Sequence, residues 1–258
     1  MNIKTEITKI HYNKDAKGVL FNILKFCSFF YFLGSELKNI LYDKNILKSE
    51  KVNVQVISVG NLTTGGVGKT PVVAEIAKKL INDGEKVAII SRGYGGELTN
   101  KQINVISDGE HIQYDVRLSG DEPYWLAQNT SAVVITSKDR VKAARLAISK
   151  FGVTKIILDD GFQYRKLYRD INIVLVDSEK VFGNGNLLPA GPLRESKLNL
   201  KRADKILIVS KNAVTLLRVV EEYMRYGADQ HTVLKNRGAA HPLNNTSGLF
   251  QQIGVCYF

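Results

Sequence analysis

A glycine-rich run that ends in lysine and threonine has the composition of a phosphate-binding loop. It reads Gly60-Asn61-Leu62-Thr63-Thr64-Gly65-Gly66-Val67-Gly68-Lys69-Thr70-Pro71. Glycines let successive backbone N–H groups point inward and surround phosphate oxygens without Cβ clashes. The Lys69 ammonium can reach the β- and γ-phosphates of a nucleoside triphosphate, and the Thr70 hydroxyl can ligate Mg²⁺. The run predicts nucleotide contacts from Thr63, Thr64, Gly65, Gly66, Val67, Gly68, Lys69 and Thr70.

The loop departs from the strict pattern at one position, because Thr63 stands where Gly-x-x-x-x-Gly-Lys-[Ser/Thr] begins with glycine. The remainder, Gly65-Gly66-x-Gly68-Lys69-Thr70, resembles the variant loop of a related branch of P-loop proteins. A helix that starts at the end of the loop adds its partial positive charge to the phosphate site. Pro71 suits the first turn of that helix, where its missing N–H is no loss.

Two adjacent aspartates, Asp159 and Asp160, end a predicted apolar strand at 155–158. A carboxylate at the tip of a strand beside a phosphate loop is the Walker-B arrangement, which holds Mg²⁺ and its waters. Two carboxylates on a buried strand end are costly unless a cation neutralises them. The alternative is that Asp160-Gly161 is only a turn signal, which leaves Asp159 without a role.

A third motif, Gly120-Asp121-Glu122-Pro123, opens a predicted helix. Asp121 could act only as the N-cap of that helix, with Glu122 as a first-turn acid. A kinase, however, needs a carboxylate that accepts the proton of the attacking hydroxyl. Asp121 is our candidate for that base.

Three arginines, Arg92, Arg140 and Arg194, lie in separate loops that follow predicted strands. The planar guanidinium matches phosphate oxygens, including those that develop charge in a transition state. Any one of them alone would be read as a surface cation. Their recurrence in strand-end loops favours phosphate contacts.

The elements that must position these residues alternate along the chain. Predicted strands cover 54–59, 86–90, 132–135, 155–158, 171–176 and 205–209, and predicted helices cover 71–82, 122–128 and 140–151. Near-continuous apolar strands that alternate with helices indicate a parallel α/β sheet with helices on both faces, similar to that of P-loop NTPases. Ligands of such sheets lie at the carboxyl ends of the strands, where every motif above falls.

The segment 19–41 is rich in large apolar residues, but its longest run without a charge has ten residues. A membrane-spanning helix needs about 20, so we expect this one to fall short. Flanking lysines are typical of a helix that lies in the membrane interface and is attracted to anionic headgroups. A core helix is the alternative, and one helix can present a face to each environment.

Composition narrows the functional classes. The formal charge of +11 favours a polyanionic partner. The two cysteines, Cys27 and Cys256, and the four histidines show no metal-ligand spacing and no disulfide framework, which fits a reducing cytosolic compartment.

Five motifs together resemble the tetraacyldisaccharide 4′-kinase (lipid A 4′-kinase) family. They are the phosphate loop, Ser91-Arg92-Gly93-Tyr94, Gly120-Asp121-Glu122-Pro123, Asp159-Asp160-Gly161-Phe162-Gln163 and Pro189-x-Gly191-Pro192-Leu193-Arg194-Glu195. The resemblance implies transfer of the γ-phosphate of ATP, with Mg²⁺, to the 4′-hydroxyl of a tetraacylated glucosamine disaccharide 1-phosphate. It also implies a location at the cytoplasmic face of the bacterial inner membrane, an anionic membrane surface as partner, and no nucleic acid.

The resemblance also implies roles for individual residues. The catalytic set would be Asp121, Lys69, Asp159, Asp160 and Arg194. Substrate contacts would come from Arg92, Tyr94, Arg140 and Glu195, and the metal would be held by Thr70, Glu122 and Asp159.

We expect three segments: a membrane-association segment at 1–50, a kinase domain at 51–212, and an incomplete or divergent segment at 213–258. The Asp-His-His and Thr-Glu-Lys-Asp motifs of the family are not found in this sequence, and the tail from about Tyr226 reads unlike it. A truncated or frame-shifted chain would bind ATP yet transfer phosphate poorly, because its base would lack an orienting partner.

Two other functions remain open from the sequence. A membrane-associated ATPase switch explains the loop, the aspartate pair and the N-terminal helix, but leaves the Gly120–Pro123 motif and the arginine loops without a role. A nucleic-acid binder rests on charge alone, because the apolar N-terminal stretch is the one place where aromatics interleave with basic residues. A GTPase is disfavoured, since Thr136-Ser137-Lys138-Asp139 has its lysine one place late for base recognition.

Overall fold

The computed structural model describes residues 3–98, 102–209 and 214–217. The helices are α1 (Ile3–Tyr12), α2 (Val19–Asp43), α3 (Lys69–Asn82), α4 (Val116–Ser119), α5 (Asp121–Asn129) and α6 (Arg140–Phe151), with a 3₁₀ helix at Lys197–Arg202. The strands are β1 (Gln55–Asn61), β2 (Val87–Ser91), β3 (Asn104–Asp108), β4 (Val133–Thr136), β5 (Lys155–Asp159), β6 (Ile171–Asp177), β7 (Lys205–Val209) and β8 (Val214–Leu217). All six predicted strands are present, with ends displaced by two residues at most.

Two compact units interleave along the chain. Unit 1 contains Met1–Asn39, Leu62–Val67 and the described residues from Val174 onward, and unit 2 contains Ile40–Asn61 and Gly68–Ile173. The three segments predicted from the sequence stay a prediction, and most of 213–258 lies outside the described residues.

Unit 2 is built on strands in the order β3-β4-β2-β5-β1. The four strands β4, β2, β5 and β1 are parallel, so their carboxyl ends share one edge. Helix α3 packs on β1, β2 and β5, and α6 packs on β2 and β4. The strands are buried on both faces, which explains their continuous apolar sequences.

The prediction of a parallel α/β sheet is confirmed for β4, β2, β5 and β1, and the edge strand β3 adds an antiparallel pairing with β4. Its register shifts between Val105 and Ser107, as at a β-bulge. A short, bulged strand is a common way to end a sheet, because it limits the edge that another chain could pair with.

Unit 1 contains α1, most of α2, and the antiparallel pair β7–β8, in which Val209 is opposite Val214. A long connection from β6 to β7 carries the Pro189–Glu195 motif and the 3₁₀ helix. Helix α2 exposes most of its large apolar side chains, including Ile23, Phe26, Phe29, Phe30 and Leu37.

Helix α2 is longer than the apolar stretch suggested. It has 25 residues, and within the described part of the chain it is the one helix long and apolar enough to cross a membrane, judged by length and composition alone. The expectation that it falls short counted only the uncharged run. The helix continues past the charged side chains that lie on either side of that run.

Candidate active site

The start of α3 leaves its backbone N–H groups without a side-chain cap. The N-cap residue is Gly68, with φ of 72°, and no side chain accepts a hydrogen bond there. The left-handed conformation favours glycine, because a Cβ would be strained. Uncapped N–H groups at the positive end of a helix dipole are suited to bind an anion, and the nucleotide contacts of this loop stay a prediction.

Lys69 lies against acceptors from two strand ends. Its Nζ donates a hydrogen bond to Asn61 Oδ1 at 3.1 Å and lies 3.5 Å from Asp160 Oδ1. Asn61 ends β1, and Asp160 follows β5, which pairs with β1 in parallel. The predicted proximity of the loop lysine to the acidic strand end is therefore present in unit 2. Asn61 had no role in the sequence analysis, although it stands inside the first motif.

Asp159 is a buried carboxylate with an unsatisfied oxygen. It is 2% exposed, and its Oδ1 accepts no hydrogen bond within the described residues. Burial is the main cause that raises its pKa to about 6, with the negative charges of Glu122 and Asp160 adding to it; Lys69 and Arg140 oppose the shift. Glu122 is thus near enough for its charge to act on the Asp159 carboxyl.

These donors fit a magnesium ion. A divalent cation would satisfy the orphaned Asp159 oxygen and remove the cost of burying that charge. No cluster of three His, Cys, Asp or Glu side chains occurs among the residues described. Mg²⁺ with a nucleotide is commonly held by one or two carboxylates together with phosphate oxygens, so no larger cluster is required, and the ligand set of Thr70, Asp159 and Glu122 stays a prediction.

Asp160 forms a tight turn after β5, as the alternative reading of Asp160-Gly161 proposed. Its φ is 52°, and the Gly161 N–H donates to Val59 O at 3.1 Å. Arg140 donates from its Nη1 to the Asp160 carbonyl at 3.0 Å and is 4% exposed. Asp160-Gly161 is therefore both a turn and part of the carboxylate pair. The buried Arg140 guanidinium donates a hydrogen bond to its backbone.

Arg140, which the sequence placed among the phosphate or substrate contacts, is buried. Burial lowers the pKa of its guanidinium, while Asp160 and Asp159 act in the opposite direction. Its guanidinium carbon also lies 5.2 Å from the centre of the Tyr164 ring. Arg140 thus contacts the backbone of the acidic turn, and a contact with substrate stays a prediction.

The Arg92 loop and the Gly120 motif pack backbone to backbone. Gly120 has φ of +88°, and a Cβ there would lie 2.6 Å from Tyr94 O and 2.9 Å from Gly96 N. Arg92 lies over the Tyr94 ring at 5.1 Å, and both side chains are exposed. The fold thus brings two sequence motifs into one surface, held by a contact that only glycine permits.

Asp121 is not an N-cap. It is the first residue of α5, whose N-cap is Gly120, and no side chain caps this end. Asp121 and Glu122 are both exposed. The N-cap explanation of Asp121 is therefore wrong, although an acid in the first turn of a helix is favoured by the helix dipole. The role of Asp121 as the base stays a prediction.

In unit 1, the central part of the phosphate loop pairs with the segment that carries Arg194. Thr63 and Leu193 form an antiparallel bridge, the Thr64 N–H donates to Pro192 O at 2.7 Å, and the Arg194 N–H donates to Leu62 O at 2.7 Å. Gly65, with φ of +108°, and Gly66 are exposed, whereas Val67 is buried. Arg194 thus emerges directly beside the loop.

Glu195 is buried, and this differs from the substrate contact that the sequence suggested. It is 4% exposed and forms an ion pair with Arg202. The Tyr12 hydroxyl, which the sequence analysis did not single out, donates to Thr64 O at 3.3 Å. No local pattern connects Tyr12 with the loop, because the contact spans 52 positions.

Comparison with known proteins gives one consistent result. Residues 20–249 match the model of the tetraacyldisaccharide-1-P 4′-kinase (LpxK) family. The chain is 46% identical over 187 residues to the tetraacyldisaccharide 4′-kinase of Syntrophus aciditrophicus, covering 72% of this chain and 50% of that protein. It is 47% identical over 193 residues to the enzyme of Halothermothrix orenii, covering 74% and 50%.

A solved structure is also similar. The crystal structure of LpxK from Aquifex aeolicus in complex with ATP superimposes with a TM-score of 0.68 at 40% identity, covering 74% of this chain and 59% of that one. The chain therefore spans about half the length of the curated relatives that it matches.

Proposed function

The chain belongs to the tetraacyldisaccharide-1-P 4′-kinase family, and from that premise we propose that it transfers the γ-phosphate of ATP to the 4′-hydroxyl of a tetraacylated glucosamine disaccharide 1-phosphate. The observation that carries the proposal is the arrangement of Lys69 between Asn61 and Asp160, next to the buried Asp159. Phosphoryl transfer uses a cationic side chain at the phosphate loop and a carboxylate that can bind a metal ion. Lys69 and Asp159 are of these two types. The ATP complex of the Aquifex relative supports the choice of nucleotide.

In this proposal Asp121 accepts the proton of the attacking 4′-hydroxyl, since its carboxylate is exposed and uncapped at the start of α5. Lys69 and the α3 N-terminus hold the phosphates, and Arg194 beside the loop stabilises the charge that develops on them. Mg²⁺, when bound by Thr70, Asp159 and Glu122, would neutralise phosphate charge.

The exposed surface near this site fits the polar part of a substrate. Arg92 and Tyr94 stand together on the loop that packs against Gly120, one residue before the proposed base. A guanidinium over an aromatic ring offers both charge for a phosphate and a flat face for a sugar. We assign these two residues to the disaccharide phosphate.

The proposal includes a location at the cytoplasmic face of the inner membrane. The acyl chains of the substrate require access to a bilayer, and α2 presents an exposed apolar surface with Lys17, Lys25 and Lys38 nearby. Apolar area and attraction of lysines to anionic headgroups both favour interfacial binding. The net charge of +11 acts in the same direction and needs no nucleic-acid partner.

The test is incubation of the purified chain with [γ-³²P]ATP and the disaccharide 1-phosphate lipid in detergent micelles. We expect labelled lipid, and we expect Asp121→Ala to reduce it at least about 100-fold, which is the lower end of the usual contribution of a general base. Asp83→Ala, at the exposed end of α3, is the matched control and should retain the activity. ATP hydrolysis without labelled lipid would favour the ATPase switch instead.

A further inference from the structure

The amphipathic pattern of α2 is inverted. Its two buried residues, Ser28 and Asn39, are both polar, whereas its large apolar side chains are exposed. A surface helix normally buries its apolar stripe and exposes its polar one. The side of α2 that faces the protein is therefore marked by polar residues.

Four polar side chains of α2 meet the same segment, residues 187–199, which we call the arginine loop. The Ser28 hydroxyl lies 2.9 Å from Leu187 O and accepts from the Ala190 N–H at 3.0 Å. The Tyr31 hydroxyl donates to the Arg194 carbonyl at 2.9 Å. Further along the helix, Glu36 accepts from Asn199 at 2.8 Å and Asn39 donates to Glu195 at 3.0 Å. We call Ser28, Tyr31, Glu36 and Asn39 the polar stripe.

Asn39 completes a buried ion pair. Glu195 and Arg202 contact each other directly, and Arg202 Nη1 also donates to Asn39 Oδ1 at 3.3 Å. The Asn39 amide thus donates to the carboxylate and accepts from the guanidinium. Buried charges are tolerated only when their remaining hydrogen-bonding capacity is satisfied, so Asn39 fixes the geometry of both partners.

The opposite side of the arginine loop holds the phosphate loop. The Arg194 N–H donates to Leu62 O, and the Thr64 N–H donates to Pro192 O. Arg194 therefore has its N–H bound to the phosphate loop and its C=O bound to Tyr31 of α2. A displacement of α2 along its axis would move both the arginine and the loop backbone.

We propose that the polar stripe makes α2 a positioning element for Arg194, so that seating the apolar side of α2 in a lipid surface fixes the arginine beside the phosphate loop. Tyr31 and Asn39 are positioning residues in this scheme, because they act through the backbone of Arg194 and the side chain of Glu195. The inference rests on the proposed function for its effect on turnover, whereas the physical coupling itself does not depend on catalysis.

The kinetic test compares Tyr31→Phe and Asn39→Leu with the control variants Tyr168→Phe and Ser35→Ala. Tyr168 is an exposed tyrosine of unit 2, and the Ser35 hydroxyl donates within α2 to Phe32 O at 3.1 Å. Loss of one hydrogen bond corresponds to about a fivefold effect, so we expect kcat to fall about five- to tenfold for each stripe variant. The KM for ATP and binding to vesicles should stay within about twofold of the unsubstituted chain, since neither residue lies on the apolar side.

Tyr31→Phe removes a single oxygen and serves as the decisive variant if Asn39→Leu fails to fold. A kcat for Tyr31→Phe equal to that of Tyr168→Phe would overturn the proposal. The proposal would also be overturned if Tyr31→Phe lowered the ATP affinity by the same factor as kcat and lowered the thermal midpoint as well. That result would indicate general destabilisation of the chain.

Hydrogen–deuterium exchange gives a second readout that does not require lipid phosphorylation. In the unsubstituted chain, vesicles of phosphatidylethanolamine and phosphatidylglycerol should slow exchange in peptides that cover 187–199. The stripe variants should bind the vesicles but lose this slowing, since the bonds that transmit it are cut. Exchange in 187–199 that does not respond to bound vesicles would refute the coupling, whether or not the chain phosphorylates lipid.

Discussion

Replacing Asp159 with asparagine should separate two effects of the buried carboxylate: the stability that it costs the native state and its contribution to metal binding. The side chain is 2% exposed, and its Oδ1 has no hydrogen-bond partner in the described part of the chain. Without a metal, its negative charge destabilises the native state. Asparagine keeps the shape and removes the charge, so it should stabilise the metal-free protein at neutral pH.

The magnitude follows from the pKa of Asp159, which rises from its ordinary 3.8 to about 6, chiefly through burial. Each pKa unit corresponds to 1.36 kcal/mol, so the ionised carboxylate destabilises the native state by about 3 kcal/mol above pH 6. Below the unfolded pKa both states are protonated and the penalty vanishes. Between the two pKa values the unfolded chain loses its proton first, and stability therefore falls as pH rises.

Urea denaturation followed through the single tryptophan, Trp125, measures this difference. Relative to the unsubstituted chain, Asp159→Asn should gain about 1.4 kcal/mol between pH 5 and pH 8, because that is the part of the penalty that develops in this interval. Asp83→Asn, at an exposed position, is the matched control.

Addition of Mg²⁺ and ATP should reverse the order at pH 8, since only the carboxylate can bind the ion and gain stability from it. A stability difference that is the same at pH 5 and pH 8 would refute the buried-charge argument. A variant stabilised by Mg²⁺-ATP as strongly as the unsubstituted chain would refute the role of Asp159 in holding the metal.

Two further predictions concern the loops and the membrane. Gly84→Ala and Gly120→Ala form a matched pair, because both glycines have φ of +88° but only at Gly120 would an added Cβ meet neighbouring backbone. In urea denaturation, Gly120→Ala should be less stable than Gly84→Ala by about 1–3 kcal/mol, the usual cost of overpacking. In liposome flotation, serine at three apolar positions of α2 should weaken binding to anionic vesicles at least about 100-fold, whereas serine at two exposed apolar positions outside α2 should not. Unchanged flotation would contradict the interfacial role of the helix. The three α2 positions are Leu20, Phe21 and Phe30, and the control positions are Ile112 and Val116.

The parts of the site that the sequence predicted are those set by local spacing. Gly68-Lys69-Thr70 opens α3 and Asp159 ends β5, because an apolar strand and a glycine loop define where the chain turns. Parallel strands then bring their carboxyl ends together without further information, and Lys69 lies 3.5 Å from Asp160 Oδ1 as a result. Local order and sheet direction are sufficient for this much.

The parts that could not be predicted depend on approaches between distant segments. Gly120 as the N-cap, rather than Asp121, follows from the close contact with Tyr94, which no helix-start pattern contains. Arg140 and Glu195 have the residue type of ligands, but their burial depends on packing that one sequence does not show. Strand β3 was missed because it pairs antiparallel at one edge of the sheet, where no helical crossover precedes it to mark a parallel strand.

Helix α2 shows why hydropathy alone misleads at an interface. In the sequence, Ser28, Tyr31 and Asn39 are interruptions of an apolar stretch, and their partners lie 156 to 163 positions away. In a helix that turns its apolar side outward, the protein-facing side has to be held by directional bonds, since there is little apolar area left to bury against the protein. The polar residues therefore carry the specificity of the contact with the protein, and in our proposal the apolar residues supply affinity for lipid. An apolar helix whose polar residues recur on one side should accordingly be read as bonded to its own protein through that side.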